Sequence, residues 1–326
     1  MQGATHRDRP RAKDLKGPAL VSLGAAGWGS ELLFRRNLTT RLAPYPIVLL
    51  EHVVQVIYTL PWLLRYAWLW RRIPRRALGW VLLSGGVGSS LGTVCFTAAM
   101  APGSGVNITA AVVLLNLQPI VSTCAGSLLF GEKIDKSFFL WAALAMLAGA
   151  TIALGDGSWR DLAHANLSSG FWYVGATIVL WGFATAAGRG AMRELPLGLA
   201  TPLRLWAGLL TTAIVLGLRA ATGHGGLDLH PLADPTVLRN LLLLTSVAGV
   251  IPLFIYFAGL RTTPAAVAGY CEMFYTVSGA LLSYLFLDGA LNFIQICATA
   301  VLVGSIVGLN RAQELPPAPV ELWKVA

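Results

Sequence analysis

Ten long apolar runs follow one another along this 326-residue chain, and they constrain its fold more than any other feature. Each run holds roughly 17–25 mostly uncharged residues, the length of helix that crosses a hydrocarbon core about 30 Å thick. The runs cover residues 17–34, 46–68, 78–100, 108–130, 138–154, 169–187, 197–218, 238–260, 265–287 and 293–309. We therefore expect the chain to cross a bilayer ten times and to act in or across a membrane.

Charged residues are scarce in the chain as a whole. They make up 12% of it, whereas hydrophobic residues make up 56%, and a soluble domain carries about 25% charged residues. Because lipid cannot satisfy backbone N–H and C=O groups, a spanning segment must be a helix or part of a closed barrel. Barrel strands alternate in polarity, and these runs do not. The sequence predicts an all-α integral membrane protein.

Positive charge is concentrated between the runs. The net charge of +9 does not indicate nucleic-acid binding, because Lys and Arg in short loops between apolar runs are typical topology signals. With the N-terminus inside, the inner segments hold 17 Lys and Arg residues and the outer segments hold 6, while Arg204 lies within a run. This excess predicts a bacterial inner-membrane protein with a cytoplasmic N-terminal arm, residues 1–16, and a cytoplasmic tail, residues 310–326.

The two halves of the chain share short motifs at a nearly constant offset. Trp28-Gly29 recurs 153 residues later as Trp181-Gly182, and Gly149 recurs 155 residues later as Gly304. These matches predict two repeats of five runs each. Because five is odd, the second repeat would enter the membrane inverted, as in many secondary transporters, whose binding site lies between the repeats near the midplane. The predicted repeats are residues 17–154 and 169–309.

Several short motifs have the pattern of a known family. They are Trp28-Gly29-Ser30, Gln118-Pro119, Phe130-Gly131-Glu132, and an apolar run around Glu272 that closes with Phe286-Leu287-Asp288. In these motifs the chain resembles the drug/metabolite transporter superfamily, and within it the ten-helix EamA-type permeases. The resemblance implies transport of a small organic solute, such as an amino acid, a metabolite or a drug, in the direction of export. It also implies that Glu31, directly after the first motif, lines a central cavity.

Glu272 is the strongest candidate for a functional residue. Ionisable side chains inside a bilayer cost about 2.5–3.5 kcal/mol each to insert, and Glu272 lies near the middle of the predicted ninth helix. It shares a helix face with Ala268, Tyr275 and Gly279 at i, i+4, i+7 and i+11 spacing, as in a small and polar cavity wall. Glu272 could bind substrate or exchange a coupling proton. The alternative is a protonated Glu272 that only hydrogen-bonds a neighbouring helix.

Three other charged residues lie well within the runs: Glu31, Glu51 and Arg204. Glu31 precedes Arg35 by one helical turn, so an i,i+4 pair at the membrane interface is the alternative to a role in the cavity. In the inverted arrangement Glu51 falls near the outer end of the second helix and Arg204 near the inner end of the seventh. We therefore expect each to extend toward its own interface, without pairing, and a role of Glu51 at an outer gate is the alternative. We expect no basic residue near Glu272.

Polar and aromatic side chains indicate the faces that would line a cavity between predicted helices 1, 3, 4, 6, 8 and 9. The third run has Gly, Ser and Thr on one face, for which tight helix packing is the alternative. In the fourth run Pro119 frees a backbone carbonyl, a break tolerated where it lines a cavity. Besides Glu272 and Glu31, the candidate substrate-binding or coupling residues are Trp28, Thr93, Asn116, Gln118, Trp181, Tyr256 and Tyr275.

No motif in the sequence supports catalysis or a cofactor. There is no phosphate-binding loop and no HExxH sequence, so the chain cannot couple transport to ATP by itself. His52 is the only histidine inside a run, and the four cysteines form no CxxC pair, so we expect no metal and no cofactor.

The sequence therefore predicts a secondary transporter that moves a small organic solute by alternating access, coupled to protons through Glu272. Its partners would be the solute and membrane lipid but not nucleic acid, and a homodimer is left open. A lipid or lipid-linked-sugar flippase is the alternative, and an intramembrane enzyme is a further one.

Overall fold

The computed structural model describes residues 14–106, 108–154, 168–286 and 291–313, and within these ranges the fold is helical with no β-strand. The helices are α1 (Lys16–Trp28), α2 (Glu31–Thr39), α3 (Pro44–Arg65), α4 (Arg75–Met100), α5 (Thr109–Phe130), α6 (Lys136–Leu154), α7 (Ser169–Glu194), α8 (Leu197–Ala221), α9 (Pro235–Leu260), α10 (Ala265–Phe286) and α11 (Phe293–Ala312). The all-α prediction is confirmed. Most of the predicted N-terminal arm, the tail beyond residue 313 and the Leu287-Asp288 part of the second motif lie outside the described residues.

The first predicted run differs from the other nine. Helices α3 to α11 are the nine helices of the described residues that are long and apolar enough to cross a membrane, whereas the first run forms α1 and α2, separated at Gly29 and Ser30. The Ser30 hydroxyl closes this turn by donating to the Gly27 carbonyl oxygen at 2.8 Å. A Cβ at Gly29 would lie 2.9 Å from the Tyr275 carbonyl oxygen in α10, so glycine allows the two helices to meet at the break.

The two halves share the same helix irregularities in the same order. In the first half, α4 contains a π-helical stretch, Leu83–Gly92, and α5 is interrupted after Leu115. In the second half, α9 contains a π-helical stretch, Ser246–Val250, and α10 is interrupted after Cys271. Such irregularities interrupt the regular i→i−4 hydrogen bonds and occur frequently at functional sites. Helices α1 to α6 thus correspond to helices α7 to α11, with α1 and α2 together as the counterpart of α7.

Most of the helix packing joins one half to the other. Helix α1 packs on α9, α3 on α8, α4 on α7, α5 on α10 and α6 on α11. Part of the small-residue face of α4 serves this packing, because a Cβ at Gly92 would lie 2.5 Å from the Trp181 ring of α7. The next residue, Thr93, instead lines the central cavity. One part of this face therefore packs against α7 and another part lines the cavity, a division that the sequence alone did not show.

The Phe130-Gly131-Glu132 motif links the halves at one end of the bundle. Gly131 has φ 64°, in the left-handed region that ends α5. The Glu132 carboxylate then accepts hydrogen bonds from the backbone N–H groups of Ala265 (2.9 Å) and Ala266 (3.0 Å) at the start of α10, where a helix favours negative charge. Arg189 of α7 lies 3.3 Å from the same carboxylate. This buried contact closes that end between α5, α7 and α10.

Candidate functional site

A cavity of about 150 Å³ lies at the centre of the bundle and is lined by both halves. A cavity needs roughly 10–15 Å³ by this measure to hold one water molecule, so there is room for a small solute and its water. All nine candidate residues of the sequence analysis line it. The predicted walls were incomplete, however, because α3 and α8 also contribute Glu51, Gln55, Arg204 and Leu205.

Glu272 lies at the interruption of α10 and accepts hydrogen bonds from three other helices. The Thr185 hydroxyl of α7 donates at 2.8 Å, and the Tyr256 hydroxyl of α9 donates at 2.5 Å. The Gln118 side-chain amide, directly after the interruption of α5, donates to the other carboxylate oxygen. One carboxyl group therefore joins α5 of the first half to α7, α9 and α10 of the second.

A second hydrogen bond joins the two interrupted helices. The Thr276 hydroxyl of α10 donates to the Asn116 side-chain oxygen at 3.2 Å. Asn116 lies at the interruption of α5, and its amide nitrogen donates to the Val112 carbonyl oxygen of its own helix at 3.2 Å. Together with the bond between Gln118 and Glu272, this hydrogen bond directly connects the interrupted segments of α5 and α10 at the cavity wall.

Arg35 is the centre of a second polar cluster on the cavity wall. Its guanidinium forms an i,i+4 ion pair with Glu31, lies 2.8 Å from the Glu51 carboxylate, and donates to the Thr97 hydroxyl at 2.8 Å. Gln55 donates to the other Glu51 oxygen at 3.2 Å. The Arg35 side chain is 1% exposed, so the expected pair with Glu31 forms inside the bundle. The prediction that Glu51 extends to its interface is also wrong.

Arg204 lines the same cavity and forms no ion pair with any other described residue. Its guanidinium lies over the Phe257 ring at 5.2 Å, and its Nε is buried without a hydrogen-bond partner in the described residues. It forms no salt bridge with Glu51, as expected, but it does not extend to an interface. It is also near enough to interact electrostatically with Glu272, so the expectation of no basic residue near Glu272 is wrong.

Aromatic rings form the apolar part of the wall. Trp28 contacts Tyr256 with 4.7 Å between ring centroids. Trp181 contacts Phe96 at 5.1 Å and donates from its ring nitrogen to the Gly88 carbonyl oxygen at 3.2 Å, so it also fixes α7 against α4. The Tyr275 hydroxyl is buried and has no hydrogen-bond partner among the described residues.

The described part of the chain contains no group of three His, Cys, Asp or Glu side chains that could hold a metal ion. His52 uses both ring nitrogens within the bundle, at 2.7 Å from the Val48 carbonyl oxygen and 3.0 Å from the Ser89 hydroxyl. The arrangement around the cavity offers hydrogen-bond donors, carboxylates and aromatic rings, which suit binding of an organic solute.

The residues that the sequence did not indicate are Thr185, Gln55 and Thr276, and Arg35 was expected only as an interfacial partner of Glu31. Thr185 lies one turn after Trp181 on the same face of α7, a spacing that would have identified it. Arg35 was assigned to an outer segment because it follows the last apolar residue of the first run, whereas α2 continues to Thr39. Gln55 lies one turn after Glu51, but nothing in the sequence pointed to Glu51 facing inward.

Comparison with known proteins agrees with this architecture. The model of the EamA-like transporter family matches residues 15–154 and 168–311. The riboflavin transporter ImpX of Fusobacterium nucleatum subsp. nucleatum is 25% identical over 304 residues, which are 91% of this chain and 98% of that protein. The crystal structure of a protein 16% identical to this chain covers 90% of it, and 96% of its own chain, with a TM-score of 0.64. That last likeness concerns the fold alone.

Proposed function

This chain belongs to the EamA-like transporter family, and we propose that its central cavity binds a small organic solute and opens alternately to the two sides of the membrane. Membership of the family makes the chain a solute transporter and not an enzyme. The solute class, the direction and the coupling ion belong to the proposal.

The observation that carries the proposal is the meeting of the two interrupted helices in the cavity. Gln118 of the first half donates to Glu272 of the second, and Thr276 of the second half donates to Asn116 of the first. In secondary transporters with inverted repeats, interrupted helices build the binding site between the repeats, and one repeat rocks against the other around it. A solute bound there would contact both halves, and rocking would have to rearrange these hydrogen bonds.

We propose that a proton on Glu272 controls one of those bonds. An ionised carboxylate can only accept hydrogen bonds, and its present donors from Gln118, Thr185 and Tyr256 suit that state. A protonated carboxyl group is itself a donor at one oxygen. The hydroxyls of Thr185 and Tyr256 can rotate to accept from it, but the side-chain nitrogen of Gln118 can only donate, so a proton on the oxygen that faces Gln118 would remove that hydrogen bond. Loss of the Gln118 bond would release the first half from α10 and link the proton to the movement.

The substrate proposal is a small organic solute such as an amino acid, a metabolite or a drug, and export is the proposed direction. Because the relative named above is a riboflavin transporter, riboflavin is the first solute to test. The proposed location is the bacterial inner membrane with both termini in the cytoplasm, where the exposed apolar faces contact lipid.

Transport by purified protein in proteoliposomes tests the proposal. Riboflavin, amino acids and cationic drugs are offered with and without a pH gradient, and empty vesicles give the background. We expect movement of at least one water-soluble solute that depends on the gradient. Movement of a fluorescent lipid between leaflets, with none of the solutes transported, would favour the flippase alternative and contradict the proposal.

A further inference from the structure

Among the described residues, three arginine side chains lie inside the helical bundle, and two of them have their donors occupied. Arg35 binds Glu31, Glu51 and Thr97. Arg189 lies against Glu132 and donates to the Thr263 carbonyl oxygen. Arg204 has no such partner: within the described ranges it forms no hydrogen bond and no ion pair, although its Nε is buried. Arg204 is therefore the member of this group that is available to a ligand.

The contact that Arg204 makes with Phe257 is a cation–π contact. The central carbon of its guanidinium lies over the Phe257 ring, 5.2 Å from the ring centroid. The N–H donors of a guanidinium lie in the plane, in a fork that matches two neighbouring acceptor atoms. Arg204 also lines the cavity. A solute that binds beside Arg204 must supply acceptor atoms for these donors, because a buried donor without a partner is costly.

The surroundings of Arg204 suit a planar ring system. Tyr256, which directly precedes Phe257 in α9, lies 4.7 Å from Trp28 between ring centroids, and all three rings line the cavity. Flat aromatic side chains stack favourably on flat ligands. A ring held against them can present its edge to the nearby guanidinium, as guanine presents a carbonyl oxygen and a ring nitrogen to arginine in nucleic-acid complexes.

The charges of the cavity argue against an anionic ligand. The carboxyl groups of Glu31, Glu51 and Glu272 line it together with only two cations, Arg35 and Arg204, and Arg35 is already shared between two carboxylates. An anionic ligand would be repelled by the Glu272 carboxylate, which forms no ion pair among the described residues. A neutral solute with acceptor atoms avoids this repulsion.

We propose that Arg204 binds the edge of a neutral planar heterocycle, at a carbonyl oxygen adjacent to a ring nitrogen. The inference rests on the proposed transport function and gives it a substrate class. Glu272 and Arg204 then have separate tasks: Glu272 links the halves, and Arg204 selects the solute.

Equilibrium binding to the full-length protein in nanodiscs tests the assignment with four probes. Riboflavin and guanosine carry the proposed edge, indole is planar without it, and benzoate is a planar anion. We expect the wild type to bind riboflavin or guanosine more tightly than benzoate. Arg204→Met should weaken that binding about tenfold or more, the usual effect of losing hydrogen bonds to a charged group, without changing the weaker binding of indole. Arg204→Lys, which keeps the charge but loses the fork, should fall between the two.

Arg193→Met is the matched control, because Arg193 also lies over a phenylalanine ring, Phe130 at 5.7 Å, but does not line the cavity. It should bind every probe like the wild type. If Arg204→Met does not fold, Arg204→Lys provides the test. Unchanged heterocycle affinity in a folded Arg204 variant, or tighter wild-type binding of benzoate than of both heterocycles, would overturn the inference. Transport of any solute would leave the proposed function intact in that event, whereas absence of all transport would contradict the proposed function itself.

Discussion

Two acidic clusters line the same cavity, and they differ in the parts of the molecule that they join. The cluster around Arg35 lies within the first half, because Glu31, Glu51 and Thr97 belong to α2, α3 and α4. The cluster around Glu272 joins both halves through Gln118. A cluster within one half can move as a unit when the halves rock, whereas a cluster between halves must rearrange. The Arg35 cluster is therefore suited to stabilise one wall of the cavity. The Glu272 cluster is suited to couple protonation or solute binding to the movement of the halves.

The clusters differ in charge as well. Arg35 is a fully buried cation held by two carboxylates, and removal of one member of such a group leaves an uncompensated charge. Glu272 is half-buried and is held by three neutral donors. Its change of protonation state breaks no ion pair. The comparison therefore predicts that substitutions at Arg35 mainly affect folding and that substitutions at Glu272 mainly affect transport.

The largest effect is expected for Arg35→Met. It leaves Glu31 and Glu51 buried without their shared cation, which should lower the free energy of unfolding by about 3–5 kcal/mol. Unfolding in detergent by urea or heat measures this change. Arg36→Met is the control, because Arg36 is the next residue but is exposed, and it should unfold like the wild type. Equal stability of both variants would show that the Arg35 cluster does not support the fold.

Glu272→Gln should fold normally and lose proton-driven transport. Glutamine keeps the size of the side chain and accepts hydrogen bonds from Thr185 and Tyr256 but cannot ionise. We expect gradient-driven transport to fall to the level of empty vesicles, whereas exchange of solute for solute, which moves no proton, should persist.

The control for Glu272→Gln is Glu194→Gln. Glu194 is a partly buried carboxyl that contacts Trp80 and Arg76 away from the cavity. Its substitution should leave transport unchanged. If Glu272→Gln transports like the wild type at every pH, Glu272 has a structural role and the contrast between the clusters disappears.

Two glutamines allow a direct comparison of the clusters, since each donates to a glutamate. Gln118 binds Glu272 across the halves, and Gln55 binds Glu51 within one half. Gln118→Leu should destabilise the present arrangement of the halves and shift the equilibrium between conformations about tenfold, the effect of roughly 1.5 kcal/mol. Gln55→Leu should not shift it. The readout is the side-specific labelling rate of Thr93→Cys in a background without native cysteines, and equal rates in both variants would contradict the assignment.

The smallest effect on transport is expected for Thr97→Val. It removes the hydroxyl that accepts from Arg35 at 2.8 Å, which should reduce stability by about 1.5 kcal/mol and leave transport per folded molecule unchanged. Thr151→Val is the comparison, because Thr151 bonds only the Leu147 carbonyl oxygen in its own helix. A transport defect in Thr97→Val without loss of stability would assign the Arg35 cluster to the moving machinery.

Much of the fold could be predicted because its signals are local. Apolar runs of spanning length predicted nine helices, from α3 to α11, and their ends agree within three residues except for the end of α7, which was predicted at Ala187 and lies at Glu194. The Trp-Gly offset and Pro119 indicated the repeat and an interruption of the fourth run, and α5 is interrupted directly before Gln118-Pro119. The first run was less well predicted because Gly29 and Ser30 end a helix only where α10 approaches closely. The hydropathy of the sequence gives no information about this close contact between helices.

The sequence predicted which residues line the cavity better than it predicted which of their side chains contact each other. Intramembrane charge, small-residue faces and aromatic residues are visible along the sequence, and the residues chosen from them all line the cavity. The inward position of Glu51 and Arg204 was not predicted. Each lies about two turns inside its helix end, and sequence position there does not distinguish a side chain that extends to the interface from one that points into the bundle.

By itself the sequence determined that this chain is a helical membrane protein with two related halves and a carboxyl group at mid-helix, because hydropathy and spacing act within each segment. Only the tertiary structure decided which side chains meet. It brought Arg35 to two carboxylates, Gln118 to Glu272, and left Arg204 with no hydrogen-bonding partner among the described residues. The physical reason is that rotation of each helix about its axis is set by its packing against several neighbours at once. Successive side chains lie about 100° apart around a helix axis, so a rotation of the helix by that angle can move a side chain from the lipid-facing side to the cavity.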